Sequence, residues 1–144
     1  IEGLIEFIED TLFSRMSIIA KEPRTHEAKC HDIALLVLTF VERNPGFARL
    51  FVGDALQGET DRLRGRMRQL LHRIETQQRT ILRELILETD PLPGNRPTVL
   101  ARVLMTLVEG LIVQFVRSDF KQSPTADWEA SWLIIRIGVF GDVD

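Results

Sequence analysis

The sequence predicts an all-α domain of about six helices. Apolar residues recur at steps of three and four along most of the 144 residues, which is the spacing that places side chains on one face of a helix. No segment carries a competing strand signal. The 44 % apolar content suits one globular domain rather than a disordered chain. We therefore interpret residues 1–144 as a single helical domain.

The first three helices are separated by prolines. The first is expected at about 1–20, because a proline follows at position 23. The second is expected at 25–43, with Thr25 as its N-cap. Pro45 disfavours a helical conformation at the residue before it and fits the first turn of a third helix. That helix should end near Gly58.

The last three helices are longer and more apolar. The fourth is expected at 59–88, where apolar residues come close to a heptad repeat. The segment 90–97, with three prolines, is the only convincing loop cluster. A fifth helix follows at about 98–120, and a sixth begins near Thr125.

The fifth predicted helix has an apolar face that is wider than packing against one neighbouring helix requires. It could lie at the centre of its own bundle. It could instead form a homodimer seam, in which two helices from each subunit make a four-helix bundle. The residues expected in that interface are Val108, Leu111, Ile112, Phe115, Trp128 and Trp132.

Composition excludes several classes of protein. The formal net charge of −3 gives no reason to expect nucleic-acid binding over the whole surface. The single cysteine rules out an internal disulfide and favours a reducing cytoplasm. No secretory signal is visible, and the longest apolar run, 35–38, is too short to cross a bilayer, so we expect no membrane partner.

Arginine is unusually frequent, since all but three of the 18 cationic residues are arginines. Between Arg62 and Arg83 seven arginines face one acid, Glu75. This stretch could attract phosphates, but we favour a solvated face supported by pairs such as Glu75 with Arg79. No aromatic residue lies there to stack on bases.

The sequence gives no positive sign of an enzyme, a metal site or a cofactor. It has no nucleophile-elbow motif, no phosphate-binding glycine loop and no Glu-x-x-His pair. His26 with Cys30, and Glu27 with His31, stand one turn apart but lack further ligands at helical spacing. We interpret these four side chains as a solvated helix face.

Two helix faces suggest a groove for a peptide. Arg43 ends the apolar stripe of the second helix, one heptad beyond Leu36. On the first helix Phe7, Thr11 and Arg15 follow one another at four-residue steps. Side by side, these faces would suit a partner with apolar anchors and an acidic group. The alternative is that Arg43 satisfies helix-end carbonyls and that Phe7 is a core residue.

Four segments carry a resemblance to a known family. They read LIEFIED at 4–10, ERNPG at 42–46, DRLRGR at 61–66 and FVRSDFK at 115–121. In this order they resemble the nucleoid occlusion factors of the TetR family, from Leu4 to about Trp132. The resemblance implies an all-α regulatory domain that dimerises through its last two helices. It also implies a preceding helix-turn-helix domain, absent from these 144 residues, that binds palindromic DNA.

In this family the DNA-bound protein antagonises assembly of FtsZ, the tubulin-like division protein, and is not an enzyme. It is cytoplasmic and associated with the nucleoid. The resemblance implies a site for the FtsZ C-terminal tail between the first two helices. The matching residues are Phe7, Arg15, Leu36, Arg43 and Asn44. Thr39 stands where the family pattern leads us to expect glycine. The resemblance does not extend to residues 135–144, so it implies no role for them.

Two other functions remain open from the residues alone. A TetR-type repressor that senses an apolar small molecule would need a large internal pocket. An enzyme built on a helical bundle would need a buried cluster of titratable residues. The operator sequence, and the way in which DNA binding affects FtsZ binding, cannot be derived from these residues.

Overall fold

The computed structural model describes residues 2–52 and 60–141, apart from the side chains at 2, 4 and 60. This part of the chain contains helices and no strand, so the all-α prediction is confirmed. Gly58 lies outside the described residues. The helices are α1 (Glu2–Lys21), α2 (His26–Arg43), α3 (Pro45–Phe51), α4 (Thr60–Leu87), α5 (Arg96–Arg117) and α6 (Trp128–Phe140).

Both ends of α2 agree with the sequence prediction. The Thr25 hydroxyl accepts a hydrogen bond from the backbone N–H of Ala28 at 3.1 Å and caps the first turn. At the other end Asn44 leaves the helical conformation, with φ −133° and ψ 73°. Pro45 then begins α3. The break between the two helices therefore falls where the proline predicts it.

The fifth helix ends at Arg117, three residues before the predicted end. The N–H of Phe120 donates to the Phe115 carbonyl at 2.8 Å, and the N–H of Asp119 donates to Val116 at 3.0 Å. These bonds form a Schellman motif, with a φ of 59° at Asp119. The aromatic rings of Phe115 and Phe120 lie 5.2 Å apart. The apolar pattern continues to Phe120 because Phe120 packs back onto the helix end.

The sixth helix begins at Trp128 rather than near Thr125. Thr125 donates hydrogen bonds from its hydroxyl and its backbone N–H to the Glu42 carboxylate, at 2.7 and 3.4 Å. Residues 124–127 form turns. A contact with α2, which no local pattern reveals, therefore fixes the start of α6.

The helix α5 lies in the core and contacts α2, α3 and α4. By length and composition alone it could cross a membrane, but a core helix of a soluble protein has the same properties. The side chains that α5 buries include Leu104, Met105, Val108 and Ile112. One face of α5 thus packs within the protomer, while Val99, Val103 and Val113 on the same helix are exposed, so the homodimer seam stays a prediction.

The helices α1 and α2 form an antiparallel hairpin with a short connection at 22–25. The Lys29 ammonium on α2 donates to the Ala20 carbonyl near the end of α1, at 3.0 Å. On another side of α1, Arg66 of α4 pairs with Glu9 at 3.1 Å, and the Arg73 guanidinium lies 3.5 Å from the centre of the Phe13 ring. These contacts fix α1 between its two neighbours.

Candidate functional site

Phe7 projects from α1 into solvent. Its neighbours Ile5, Ile8 and Leu12 are buried against the core, whereas Phe7 is 67 % exposed. The interpretation of Phe7 as a core residue is therefore wrong. The Thr11 hydroxyl donates to the Phe7 carbonyl at 2.8 Å, and Arg15 is exposed one turn further along. The predicted aromatic-to-cation face of α1 is thus at the surface.

The α2 side of the hairpin contributes one half-buried and two exposed side chains. Leu36 packs against the core with part of its surface accessible, while Arg43 and Asn44 are exposed at the helix end. Thr39 is half-buried, three residues after Leu36 and four before Arg43, so it lies on the same side of α2. The side chain that departs from the expected glycine therefore lies between the two predicted contacts.

Arg15 and Arg43 make no hydrogen bond or ion pair within the described part of the chain. Other arginines do, and the pairs are Arg24 with Asp32, Arg66 with Glu9, and Arg136 with Glu27. Both guanidinium groups therefore keep their donors available for a carboxylate or a carbonyl of a partner.

Asn44, rather than Arg43, satisfies the carbonyls at the end of α2. Its backbone N–H donates to the Val41 carbonyl at 3.1 Å, and its side-chain amide donates to the Phe40 carbonyl at 2.7 Å. Arg43 bonds to neither of these two carbonyls, but its place in the last turn of α2 still suits the helix dipole, so both interpretations of Arg43 stay open. Asn44 itself has a structural role that the sequence did not reveal, and its side-chain oxygen is left as the atom able to accept from a partner.

The antiparallel hairpin determines the order of the groups along the groove. The contact between Lys29 and Ala20 places Arg43 near the level of Phe7 and Leu36 near the level of Phe13. With a rise of about 1.5 Å per residue, Arg15 and Arg43 are then separated by roughly 13 Å along the helix axes. Arg15 on α1 and Arg43 on α2 therefore supply two separated cationic positions on this hairpin.

A second surface of α2 is fixed to the connection before α6. The Glu42 carboxylate accepts hydrogen bonds from the hydroxyls of Ser123 and Thr125. The Ser123 bond is the main cause that lowers the pKa of Glu42, with smaller contributions from Thr125 and from the Arg43 charge. The side chain next to Arg43 therefore holds the last turn of α2 in place, a contact that no sequence pattern predicted.

The face of α2 interpreted as solvated is in fact packed. Cys30 is fully buried, and burial, followed by the charge of Glu27, raises the pKa of its thiol to about 12. The His31 ring lies 5.7 and 5.3 Å from the rings of Trp128 and Trp132. His31 Nε2 is 2.7 Å from Glu129.

His26 lies 3.7 Å from carboxylate oxygens of Glu84 and Glu88. Together with the contacts of Cys30 and His31, this shows that the four side chains serve contacts between helices. No group of three His, Cys, Asp or Glu residues suited to a metal ion occurs among the described residues. The side chains on this face of α2 therefore pack against neighbouring helices and form ion pairs with them.

Most of the residues predicted at the dimer interface lie inside the protomer. Five of them are buried in its own core, and Leu111 is half-buried. The five are Val108, Ile112, Phe115, Trp128 and Trp132. The sequence identified apolar positions but not which neighbour covers them. Other apolar side chains on α5 and α6 are exposed, namely Val99, Val103, Val113, Leu133, Ile134 and Ile137. An interface through these two helices stays a prediction and now involves this second set.

Comparison with known proteins gives a consistent result. A family model for the SlmA-like type of tetracyclin repressor-like C-terminal domain matches residues 25–138. A protein of Idiomarina loihiensis named nucleoid occlusion factor SlmA is 48 % identical over 134 residues, which cover 93 % of this chain and 68 % of that protein.

Proteins of the same name from Shewanella woodyi and Citrobacter koseri are 46 % and 44 % identical. The matches cover 94 % and 93 % of this chain and 68 % of each relative. The similarity therefore extends over nearly all of the chain, including α1 and α2.

Proposed function

This chain belongs to the SlmA-like family of tetracyclin repressor-like C-terminal domains, and on that premise we propose that it is the FtsZ-binding part of a nucleoid occlusion factor. The relatives carry that name. The observation that supports the proposal most directly is the groove between α1 and α2. On these two helices Phe7 is exposed, and the guanidinium groups of Arg15 and Arg43 have no hydrogen-bond or ion-pair partner among the described residues.

The groove suits the C-terminal tail of FtsZ, because it combines apolar surface with cationic groups. Phe7 and Leu36 would hold apolar side chains of the tail, and Arg15 and Arg43 would receive its carboxylates or carbonyls. Asn44 would offer its side-chain oxygen as an acceptor and the second N–H of its amide as a donor, since one amide N–H is bonded to the Phe40 carbonyl. The hairpin is fixed on both sides by α4 and by the Glu42 contacts, so little ordering of the backbone accompanies binding.

The whole protein would act as a DNA-bound homodimer. We propose that a helix-turn-helix domain precedes this chain and binds palindromic DNA, and that two copies meet through α5 and α6. Binding of FtsZ tails by such a dimer would then antagonise FtsZ assembly over the chromosome. The location that follows is the nucleoid in the cytoplasm. The family consists of regulators, and the role proposed for this chain is regulatory rather than enzymatic.

The test is to titrate the FtsZ tail peptide against the wild type, Arg15→Ala and Arg43→Ala, with melting curves recorded for each. A charge-assisted hydrogen bond contributes roughly 1.5 to 3 kcal/mol, so each variant should bind about tenfold to a hundredfold more weakly. Melting temperatures should change little, because both side chains are exposed.

Arg83→Ala is the matched control, since Arg83 is an exposed arginine on α4, away from the groove. It should bind like the wild type. If all three variants bind like the wild type, the tail does not occupy this groove. If Arg15→Ala and Arg43→Ala lose binding only because they unfold, the two arginines are structural and the assignment is wrong.

A further inference from the structure

The helix α1 leaves a second large apolar side chain exposed. Ile18 is 63 % exposed, close to the value for Phe7, whereas Met16 on the opposite side of the helix is buried. An isoleucine in this position adds nothing to the core. The sequence motifs that matched the family do not include it, and the proposed contacts with FtsZ do not use it.

Ile18 continues the face that begins at Phe7. The two residues are 11 positions apart, which is three helical turns with a deviation of only about 20°, and a separation of roughly 16 Å. The side chains between them on this face, Thr11 and Ser14, are small and polar, and Arg15 borders the face on one side and the exposed Asp10 on the other. The surface therefore has two apolar positions, with Arg15 on the side of the face away from Asp10.

The hairpin places Ile18 at the end of α1 that is further from Arg43. Ile18 lies near the end of α1, close to the level at which Lys29 contacts Ala20. Phe7 lies at the other end, near the level of Arg43. A segment that starts at Phe7 and follows α1 therefore passes Arg15 before it reaches Ile18.

We propose that Ile18 is a second apolar anchor for the FtsZ tail, so that the bound segment runs along α1 from Phe7 to Ile18. This inference rests on the proposed function and extends its site. An extended chain rises about 3.3 Å per residue and its side chains alternate between two faces, so the two tail side chains that contact Phe7 and Ile18 are about four or six residues apart. An acidic residue lies between them, opposite Arg15.

A second copy of this chain is a poorer occupant of the same surface. A stable interface between proteins buries at least about 1,000 Å² in total. Two apolar side chains separated by roughly 16 Å and by polar residues do not supply a continuous patch of that size. A single acidic and apolar segment fits both their spacing and the charge of Arg15.

The first experiment compares tail-peptide affinities of Ile18→Ala and Leu92→Ala. Leu92 is a matched control, because it is 85 % exposed but lies on the connection between α4 and α5. Loss of most of one buried aliphatic side chain should weaken binding roughly fivefold to tenfold in Ile18→Ala. Leu92→Ala should bind like the wild type, and neither melting curve should move. Ile18→Asp should bind more weakly than Ile18→Ala, because its charge repels an acidic tail.

Phe7→Ala separates failure of this inference from failure of the proposed function. If Phe7→Ala loses affinity and Ile18→Ala does not, the groove is correct but ends before Ile18. If neither changes affinity and the arginine variants bind normally, the tail does not occupy this groove, and if the wild type does not bind the tail peptide at all, the proposed function itself is wrong. If Ile18→Ala alters the oligomeric state instead of peptide affinity, a second copy covers this face and the inference is overturned.

A second experiment shortens the tail peptide by one residue at a time from each end. One truncation should weaken binding to the wild type and have no further effect on Ile18→Ala, because both changes remove the same contact. If Ile18→Ala weakens every truncated peptide by the same factor, Ile18 does not contact the tail.

Discussion

A charge at the centre of the exposed apolar surface of α6 should separate two copies of this chain. Leu133, Ile134 and Ile137 are 61 %, 78 % and 55 % exposed, the equivalent of about two fully exposed side chains in each protomer. Burying an aliphatic side chain completely contributes about 1.5 to 3 kcal/mol, so the three positions from both protomers contribute roughly 6 to 12 kcal/mol. That is comparable to the general cost of association, about 4 to 15 kcal/mol.

The change Ile134→Asp removes the most exposed of these side chains from both protomers and adds two carboxylates. The lost burial is about 2 to 5 kcal/mol for the dimer. Removing two unpaired carboxylates from water costs the dimer several kcal/mol more. Together these effects should weaken dimerisation by about a thousandfold or more. Since Ile134 is exposed in the protomer, the fold itself should survive.

Light scattering and sedimentation at micromolar protein measure the outcome. The wild type should have twice the mass of the 16.5 kDa chain, and Ile134→Asp should have the mass of one chain with an unchanged helical circular dichroism spectrum. Leu92→Asp is the control and should remain dimeric. A contrasting variant is Trp132→Ala, which should lower thermal stability because Trp132 is buried in the protomer. A dimeric Ile134→Asp, or a monomeric wild type, would refute the reasoning.

Two further predictions concern α2. Glu42→Gln should lower the free energy of unfolding by about 1 kcal/mol at pH 7, because it removes a charged acceptor from the Ser123 and Thr125 hydroxyls. The pKa of Glu42 is lower in the folded state than its ordinary value of 4.5. The wild type therefore has this stabilisation above pH 4.5 and loses it as the pH falls through the folded pKa. Urea unfolding at several pH values should show the difference shrinking in acid, and a difference independent of pH would contradict this account. Cys30, which is buried and has a pKa raised to about 12, should react with thiol reagents only as the protein unfolds. The labelling rate should rise with denaturant, whereas rapid labelling of the native protein would show that the thiol is accessible.

The elements that sequence patterns predicted correctly are those with local causes. The break between α2 and α3 follows from Pro45, and the start of α2 follows from the capping side chain of Thr25. The ends of α5 and α6 were less accurate. Phe120 continues an apolar pattern although it belongs to a turn. Thr125 resembles a helix start but is bonded to Glu42, 83 residues earlier in the chain.

Sequence patterns likewise predicted some features of the candidate site and missed others. Spacing placed Phe7 near Arg15, and Leu36 near Arg43, because a helical period determines which residues share a face. Spacing did not reveal that Asn44 bonds to the Phe40 carbonyl, or that Ile18 is exposed near the end of α1. Both facts depend on neighbours that the pattern of one helix does not specify.

The sequence by itself determined an all-α domain with its main helices, its membership of a family of regulators, and the aromatic and cationic residues that share faces of α1 and α2. Only the tertiary structure decided which apolar side chains are covered within the protomer and which are left for partners. It turned Trp128 and Trp132 toward His31 in the core and left Ile134 exposed. The physical reason is that hydrophobicity has no direction. It favours removal of an apolar side chain from water without naming the surface that covers it, and the packing of helices distant in sequence makes that choice.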